Sequence, residues 1–491
     1  MLFAEVIAHP RLKRLTPFHS LSPNSTFLAL ITIPAYPEIW IQGAIMAANM
    51  TSMLSDEVTI PWNLPPRPRY VFIGANLVDP AKGEVLTNVT VHLHDGVVKS
   101  INGSPDEWED DSSTIKVDLE GKFVCPGLID CHVHLMAVPG KRGLEELKSM
   151  NPSVSLLRQP QVCRSMLERG FTTVRDCGGA LFPLKKAIEE DIHPGPRLFI
   201  AGHALSQTGG HGDMRGLLDN HKCCGGTTQG VGRVIDSVPD CLKYAREEIR
   251  QGADFLKIIG GGGVASPTDK IENIQFSDEE IKAIVTVASN AGTYVTTHAY
   301  TPQAIQRAIK QGVLGVEHGN LLNKETTKLI AEKGAFLTPT LITYATMAKF
   351  NGFLPPASAK KNKEVLEKGL HAIKIAAEAG VTICFGTDLL SKLHFAQSKE
   401  FGLRSQVQSS LEVLRSATVN AARMLRQDKF LGQISPSFAA DLLILNANPL
   451  EDITVLDVPE KHVLATIKDG RVYASRWSKL GTDLRRTANL A

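Results

Sequence analysis

The chain of 491 residues carries little net charge and few aromatic side chains. Its 53 Lys and Arg residues nearly balance 51 Asp and Glu residues, which leaves a formal net charge of +2. It has no long Lys/Arg-rich run that would attract nucleic acid. Aromatic residues make up 6% of the chain, too few to predict a base-stacking platform. We therefore expect no nucleic-acid partner.

The chain also lacks any Cys-x-x-Cys pair. A domain of this size buries a core without disulfides, so we expect mostly free, buried thiols. The alternative for Cys223 and Cys224 is an oxidised pair in a loop. The eight cysteines are Cys125, Cys131, Cys163, Cys177, Cys223, Cys224, Cys241 and Cys384.

The N-terminal region lacks charge from Leu15 to Pro37 but is not typical of a membrane span. Four prolines interrupt it: Pro17, Pro23, Pro34 and Pro37. We therefore expect no membrane partner. The basic cluster Arg11–Arg14 before this stretch and the small residues after it loosely resemble a signal peptide. We expect secretion, with a mature chain that begins near residues 44–55; a cytoplasmic location is the alternative.

What is present is an average soluble composition, with 43% hydrophobic residues, and two β-rich ends. Short strand-like segments with turns between them follow residue 68, such as Tyr70–Gly74 and Val89–His94. Similar segments return at Asp441–Leu445 and His462–Ile467. The simplest arrangement is one small β-sandwich domain built from both chain ends.

Between these ends, strand-like and helical runs alternate, which predicts an α/β fold with parallel strands. The strand candidates are Leu128–His134, Thr172–Asp176, Arg197–Ala201, Phe255–Ile259, Tyr294–His298, Leu314–His318, Ala335–Thr338 and Thr382–Phe385. The helical candidates are Pro183–Glu190, Cys241–Gln251, Asp278–Asn290, Pro302–Gln311, Lys324–Lys333 and Lys363–Ala379. Eight such strands predict a closed (β/α)8 barrel of the TIM type, whose active site forms at the C-terminal strand ends.

These patterns predict the following domain limits. Residues 1–65 are leader and linker, 66–125 the first part of the β-sandwich, 126–430 the barrel, 431–480 the second part of the β-sandwich, and 481–491 a tail.

Metal-binding residue types occupy the predicted strand ends. His132 and His134 are two apart on a strand and therefore point the same way, like a metal pincer. Lys257 lies inside an apolar strand, where burial favours a neutral amine that adds carbon dioxide to give a two-oxygen carbamate. The alternative for Lys257 is a side chain that reaches the rim or pairs with a carboxylate.

Three further strands end in His298, His318 and Asp388. Each of the six residues alone has an ordinary structural explanation, such as a core histidine with a satisfied hydrogen bond. Their joint occurrence at the ends of strands one, four, five, six and eight is improbable by accident. The sequence therefore predicts a metal centre.

This order of residues resembles the amidohydrolase superfamily, in its binuclear branch with a carboxylated lysine. The segments Pro126–His132 and Ala439–Leu442 match as well. The resemblance implies that His132, His134 and Asp388 hold one divalent metal, zinc by the ligand types. It implies that His298 and His318 hold a second.

The resemblance also gives the modified residue and the mechanism. Lys257, as N6-carboxylysine formed with carbon dioxide, bridges the metals. A hydroxide between the metals attacks the carbonyl, and Asp388 passes its proton to the leaving amine.

Within the superfamily, two loops look similar to the metallo-carboxypeptidase and prolidase-like group: Thr208–Asp213 and Gly261–Pro267. This similarity implies a small-molecule amide substrate that releases a C-terminal amino acid, apolar or aromatic. His211 is the candidate that grips substrate, with a structural role as its alternative, and Tyr344 is a further candidate contact. The similarity also implies that this chain forms a homo-oligomer, commonly an octamer in this group.

Other functions remain open on the same metal core. A lactonase, a phosphotriesterase, or an imidazolone or other cyclic-amide hydrolase would use the same ligands. A deaminase normally uses one metal and no strand-four lysine, so Lys257 argues against it. A non-catalytic scaffold on this fold usually loses ligands, and none of the six is missing.

Overall fold

A computed structural model describes residues 60, 62–102, 113–141, 146, 150–216, 218, 230–266, 268–350 and 352–484. Four predictions lie wholly or mostly outside these residues: the leader and linker over residues 1–65, the mature start near residues 44–55, the Cys223–Cys224 pair, and the tail over residues 481–491. The other six cysteines are buried, free thiols, as predicted.

Segments from both ends of the chain form one eight-stranded sheet. Its strands are β1 (Arg69–Asp79), β2 (Glu84–His94), β3 (Val97–Ile101), β4 (Thr114–Asp118), β5 (Phe123–Pro126), β16 (Leu442–Leu445), β17 (Val463–Lys468) and β18 (Arg471–Ser475). The two halves meet where β5 pairs antiparallel with β16, at Val124 and Ile444. Both chain ends therefore contribute to this sheet; its folding into a sandwich and the domain limits stay predictions.

This sheet owes its stability to alternating apolar residues. In β2, Val89, Val91 and Leu93 are almost fully buried, because every second side chain of a strand points to the same face. They pack with Phe72 of β1 and Ile444 of β16 in one hydrophobic cluster. The cluster thus joins residues more than 350 positions apart in sequence.

The central region is a ring of parallel strands. They are β6 (Leu128–Val133), β7 (Phe171–Asp176), β8 (Arg197–Ile200), β9 (Ala204–Ser206), β11 (Leu256–Ile259), β12 (Val295–Ala299), β13 (Gly315–His318), β14 (Phe336–Thr338) and β15 (Thr382–Ile383). A short strand, β10 (Gly232–Val234), pairs with β9. The third barrel strand is split into β8 and β9, which the sequence did not predict.

Backbone hydrogen bonds close the ring at two seams. Asp254 N donates to Ile200 O over 2.8 Å, which joins β8 to the start of β11. On the other side, Cys131 N donates to Phe385 O over 2.8 Å, and Asp388 N donates to His132 O over 2.8 Å. These bonds attach the segment after β15 to β6. The C-terminal strand ends of the ring therefore meet at one mouth.

Helices connect the barrel strands. They are α1 (Pro152–Glu168), α2 (Phe182–Glu189), α3 (Val238–Arg250), α4 (Asp278–Asn290), α5 (Pro302–Lys310), α6 (Lys324–Glu332), α7 (Leu341–Lys349) and α8 (Pro356–Glu378). Shorter helices follow: α9 (Glu400–Arg404), α10 (Ser410–Ser416), α11 (Val419–Met424) and α12 (Pro459–His462), with 3-10 helices at Ser391–Lys399 and Ile453–Asp457. Among the described helices, none is both long and apolar enough to cross a membrane.

Helix starts follow local capping chemistry. Ser277 begins α4 with a capping box, in which its hydroxyl accepts from Glu280 N and the Glu280 side chain accepts from Ser277 N. Such caps satisfy backbone donors that the first turn leaves unpaired. The predicted α8 started at Lys363, but the helix begins seven residues earlier at Pro356, because proline is favoured in a first turn.

A buried carboxyl on α9 predicts a pH-dependent stability. Glu400 is fully buried; its Oε2 accepts from Ile342 N over 2.7 Å, and its Oε1 has no hydrogen-bond partner among the described residues. Burial outweighs the nearby Arg404 and raises the pKa of Glu400 from 4.5 to about 8. A raised carboxyl pKa means that folding favours the protonated form. The contribution to stability is therefore full below pH 4.5 and is lost as pH rises towards 8.

We expect the free energy of unfolding of Glu400→Gln, measured relative to wild type, to be higher at pH 8.5 than at pH 5. The difference between the two pH values should be about 2–4 kcal/mol, at about 1.4 kcal/mol for each pKa unit. Denaturant unfolding at both pH values measures it. The control is Glu364→Gln on α8, whose side chain is 52% exposed and should show no such gain. An equal difference between Glu400→Gln and wild type at both pH values would contradict the assignment.

Candidate metal centre

The six predicted metal ligands lie at the mouth of the barrel. His132 lies in β6 and His134 directly follows it, Lys257 lies in β11, His298 in β12, His318 ends β13, and Asp388 follows β15. The relative exposures are 1% for His132, 8% for His134, 2% for Lys257, 4% for His298 and 2% for His318. The Asp388 side chain is 18% exposed. Asp388 is thus the ligand candidate most open to solvent.

Three ligand atoms converge at the end of β6. His132 Nε2 lies 3.3 Å from His134 Nε2. Asp388 Oδ1 lies 3.2 Å from His134 Nε2 and 3.5 Å from His132 Nε2. The arrangement follows from the two-residue period of the strand, which points both rings into the mouth. His318 joins them, because His132, His318 and Asp388 offer ligand atoms that all lie within 4.8 Å of one another.

In the β6 pair, hydrogen bonds occupy the ring nitrogens that face away from Asp388. His132 Nδ1 lies 2.8 Å from Glu317 Oε2, and His134 Nδ1 lies 2.7 Å from the Gly178 carbonyl oxygen. Both acceptors need a hydrogen on Nδ1, so Nε2 carries the lone pair in the neutral ring. This is the arrangement that a metal-binding histidine requires.

The second histidine pair is held in the same manner. His318 Nδ1 lies 2.7 Å from Thr340 Oγ1, which leaves Nε2 free. His298 is turned the other way: its Nε2 lies 3.2 Å from the Gly262 carbonyl oxygen, which leaves Nδ1 free. The two rings pack with centroids 4.5 Å apart. All four histidines therefore have one anchored and one available nitrogen.

Electrostatics keeps most of these rings neutral. Burial, aided by Lys257, lowers the pKa of His132 to about 4, and burial holds the pKa values of His298 and His318 well below the ordinary value. Burial opposes a charge on His134 too, but the Asp388 carboxylate outweighs it and raises its pKa. For Asp388, burial is outweighed by His132 and His134, and its pKa falls to about 2. Neutral imidazoles and an ionised carboxylate are the forms that bind metals.

Lys257 is buried beside these groups without a partner. Its Nζ makes no hydrogen bond or ion pair with any residue in the described part of the chain, although it lies close enough to His132, Glu317 and Asp388 to shift their pKa values. A buried polar group without a hydrogen-bond partner is costly. The residues therefore fit a site in which additional groups or a chemical change at Lys257 supply the missing partners.

A buried ion pair beneath the centre was not predicted from the sequence. Arg175 Nη2 donates to Glu317 Oε1 over 2.5 Å, and Arg175 Nε donates to Cys131 O over 2.6 Å. Burial of Glu317 is outweighed mainly by Arg175, so the pKa of Glu317 lies well below its ordinary value. Glu317 is thus a fixed anion that orients His132. The only sequence signal was its position beside His318.

Two ligand candidates have strained backbones. His318 has φ 75° and Asp388 has φ 52°, in the left-handed region that side chains with a Cβ rarely adopt. Gly319 N and Asp388 N donate to the carbonyl oxygens of Ala299 and His132, over 3.0 Å and 2.8 Å. Such strain persists where neighbouring bonds hold it, and it clusters at functional sites.

The two predicted substrate contacts lie beside the histidines. The His211 ring stacks on His298 with centroids 4.4 Å apart, and burial lowers the pKa of His211. Tyr344 is 1% exposed, and its hydroxyl lies 3.0 Å from His318 Nδ1 and 2.9 Å from the Tyr300 hydroxyl. That His211 and Tyr344 contact substrate stays a prediction.

Comparisons with known proteins identify relatives of the whole chain. Ochratoxinase from Aspergillus niger is 31% identical over 421 residues, which cover 82% of this chain and 87% of that protein. Its crystal structure matches with a TM-score of 0.73 at 28% identity, over 86% of this chain and 99% of that one. A prolidase crystallised with N-methylphosphonate-L-proline matches with a TM-score of 0.79 at 41% identity, over 83% of this chain and all of that one.

A Xaa-Pro dipeptidase with bound methionine also matches, with a TM-score of 0.75 at 29% identity, over 83% of this chain and all of that one. These neighbours share the α/β barrel fold that the sequence predicted. Residues 123–473 match the model of the amidohydrolase family. The chain therefore belongs to the amidohydrolase family, as its strand-end residues predicted, and is a hydrolase that acts on amide bonds.

Proposed function

We propose that this chain is a metal-dependent hydrolase that releases a C-terminal amino acid from an amide. The substrate is an N-acyl amino acid or an ochratoxin-type amide, with an apolar or aromatic leaving group such as phenylalanine. One observation carries the proposal: four histidines with one free nitrogen each converge with a carboxylate and an unpartnered lysine. The likeness to an ochratoxinase, a prolidase and a Xaa-Pro dipeptidase supports the substrate class.

The same residues would hold two zinc ions. His132, His134 and Asp388 would hold the first, and His298 and His318 the second. Lys257 would bridge them after its neutral amine adds carbon dioxide and loses a proton, which converts the amine into a two-oxygen anion. When bound, the two ions lower the pKa of water and polarise the scissile carbonyl. The neutral state of three of the histidines supports this assignment.

Asp388 would move the proton during hydrolysis. Its low pKa of about 2 keeps it ionised and able to accept a proton, and its 18% exposed side chain faces the mouth. Asp388 would take a proton from the attacking water and deliver it to the leaving amine nitrogen. Proton transfer to that nitrogen is needed because an amide anion is a poor leaving group.

Selectivity for a C-terminal amino acid requires a second anchor. A free carboxylate next to the scissile bond is a fixed charge that such an anchor can bind, which holds the amide in place. The glycine-rich stretches Gly209–Gly212 and Gly260–Gly263 flank His211, but most of their backbone N–H groups already donate within the protein, as Gly263 N does to Asp269 Oδ2. A Cβ on Gly263 would lie 2.1 Å from the His211 ring. The absence of a side chain there is what permits the close approach.

We expect methyl esterification of the substrate carboxylate to reduce kcat/KM at least tenfold, about 1.4 kcal/mol. N-acyl-phenylalanine and its methyl ester, assayed side by side, measure the effect. The control is a pair of substrates that differ in the acyl group and keep the carboxylate.

Equal rates for acid and ester would contradict the anchor. They would favour a lactonase, a phosphotriesterase or a cyclic-amide hydrolase on the same residues. A screen of N-acyl amino acids, dipeptides, lactones and cyclic amides tests the whole proposal. We expect the acyl amino acids or the dipeptides to be hydrolysed fastest, and a preference for lactones or cyclic amides would overturn it.

A further inference from the structure

A lysine from α8 fixes the loop that follows β11. Lys361 Nζ donates to three carbonyl oxygens of this loop: Gly263 O at 3.0 Å, Ser266 O at 3.4 Å and Asp269 O at 2.6 Å. Its side chain is 18% exposed, whereas that of Asp269 is 2% exposed. All three donors of the ammonium are therefore used by the loop. These bonds hold the loop in place beside the metal centre.

Asp269 is the acceptor at the centre of this loop. Its Oδ2 accepts from Gly263 N over 3.0 Å and from Gln275 Nε2 over 3.1 Å. Its Oδ1 accepts from the Ser266 hydroxyl. Gln275 Oε1 in turn accepts from His211 N over 3.0 Å. The amide nitrogen and the amide oxygen of Gln275 are both hydrogen-bonded, so Gln275 links the loop to the His211 backbone.

The single hydroxyl hydrogen of Ser266 determines the direction of the next hydrogen bond. The closer acceptor for that hydrogen is Asp269 Oδ1, and the other is Gly263 O at 3.3 Å, so in either case Ser266 Oγ accepts from His211 Nδ1, which lies 2.7 Å away. His211 Nδ1 therefore keeps its hydrogen in both the neutral and the protonated ring. Nε2 is the nitrogen of His211 without a hydrogen-bond partner among the described residues, so it is the one available to a bound molecule.

The ring itself has no freedom to turn. One face stacks on His298 with centroids 4.4 Å apart. The backbone of Gly263 also lies against the ring, where a Cβ would be 2.1 Å from it. These two contacts restrict the ring plane, and the bond from Nδ1 determines which nitrogen carries hydrogen.

We propose that Asp269, acting through Ser266, is a positioning residue that holds His211 with hydrogen on Nδ1 and presents Nε2 to the amide substrate. This inference rests on the proposed function, because it needs a substrate hydrolysed at the neighbouring histidines. It adds a hydrogen-bonded chain from Lys361 to Asp269, Ser266 and His211. None of the first three residues touches the reacting atoms.

The isosteric variant Asp269→Asn should reverse the direction of the hydrogen bonds that run between residue 269, Ser266 and His211. Gly263 N and Gln275 Nε2 both require an acceptor, so the amide oxygen takes their side and the amide NH2 faces Ser266. Ser266 then receives a hydrogen and turns its own towards His211 Nδ1, which at 2.7 Å is nearer than Gly263 O at 3.3 Å, an oxygen that already accepts from Lys361 Nζ. The result is a His211 ring with hydrogen on Nε2, which presents a donor where wild type presents a lone pair.

We expect Asp269→Asn to lower kcat/KM for the amide at least tenfold, with metal content and thermal midpoint close to wild type. Solid-state ¹⁵N spectra of histidine-labelled protein should show His211 change from the Nδ1–H to the Nε2–H form. The His211 signal is assigned by its loss in His211→Asn. Asp278→Asn is the control, at a side chain 53% exposed on α4, and should match wild type in all four measurements.

A second variant decides the matter if Asp269→Asn does not fold. Ser266→Ala removes the acceptor and should also lose at least tenfold in kcat/KM, and Ser266→Thr, which keeps the hydroxyl, should recover most of that loss. A wild-type rate or an unchanged His211 spectrum in the folded Asp269→Asn variant overturns the inference, as does a wild-type rate in Ser266→Ala. If wild type hydrolyses no amide, the proposed function fails, while the spectra still test the chain from Asp269 to His211.

Discussion

Replacing Asp388 with Asn should lower kcat for amide hydrolysis by ~10²–10⁴-fold, the range attributed to general acid–base catalysis. Asparagine keeps an oxygen at the place where Asp388 Oδ1 approaches His134 Nε2 at 3.2 Å, so much of the metal should remain. It cannot take up a proton. Steady-state kinetics with metal analysis of the same sample measures both quantities.

A matched control exists for the Asp388 variant. Asp95 also has a left-handed backbone, with φ 51° against 52° for Asp388, and its side chain is 71% exposed. Asp95→Asn therefore tests the same exchange at the same backbone angle, away from the metal centre, and should leave kcat unchanged. A near-normal kcat in Asp388→Asn would remove Asp388 from the mechanism.

Replacing Lys257 with Ala should abolish both metal binding and activity. The residue is 2% exposed and has no partner among the described residues, which fits the proposed carbamate, and without a carbamate the proposed bridge between two ions could not form. A short carboxylic acid in the buffer, such as acetate or propionate, should partly restore metal and activity, because it supplies the missing oxygens.

Two further variants control the Lys257 experiment. Lys257→Met keeps an apolar side chain of similar length but lacks the nitrogen, and it should also lose metal. This result would show that the missing nitrogen, and not a cavity left by alanine, causes the loss. Lys328→Ala, at a side chain 77% exposed on α6, should retain both metal and activity. Full metal content in Lys257→Ala, or electron density for a plain amine at Lys257 in the metal-loaded protein, would contradict the carbamate.

The sequence alone predicted those features that depend on a short repeat along the chain, such as the alternation of side chains in a strand. His132 and His134 are two residues apart on a strand, so their common direction follows from strand geometry alone. The eight strand candidates were also correct within one or two residues, apart from the break between β8 and β9. Local patterns suffice there because each buried parallel strand is an apolar run that ends in turn residues.

The sequence could not reveal partners that only folding brings together. Arg175 and Glu317 are 142 positions apart, and Lys361 and Asp269 are 92 apart. Nothing local marks either pair. Helix α7, which carries Tyr344, was missed because six of its nine residues are buried, so it lacks the polar face on which helix prediction depends.

The most direct test of the central claim is an activity titration with zinc. The chelator-treated protein is assayed on N-acyl-phenylalanine while zinc is added in the presence of bicarbonate, the source of carbon dioxide for Lys257. We predict no hydrolysis without metal and a rise in kcat that saturates at about two ions per chain. Full activity in the metal-free protein would contradict a metal-dependent hydrolase.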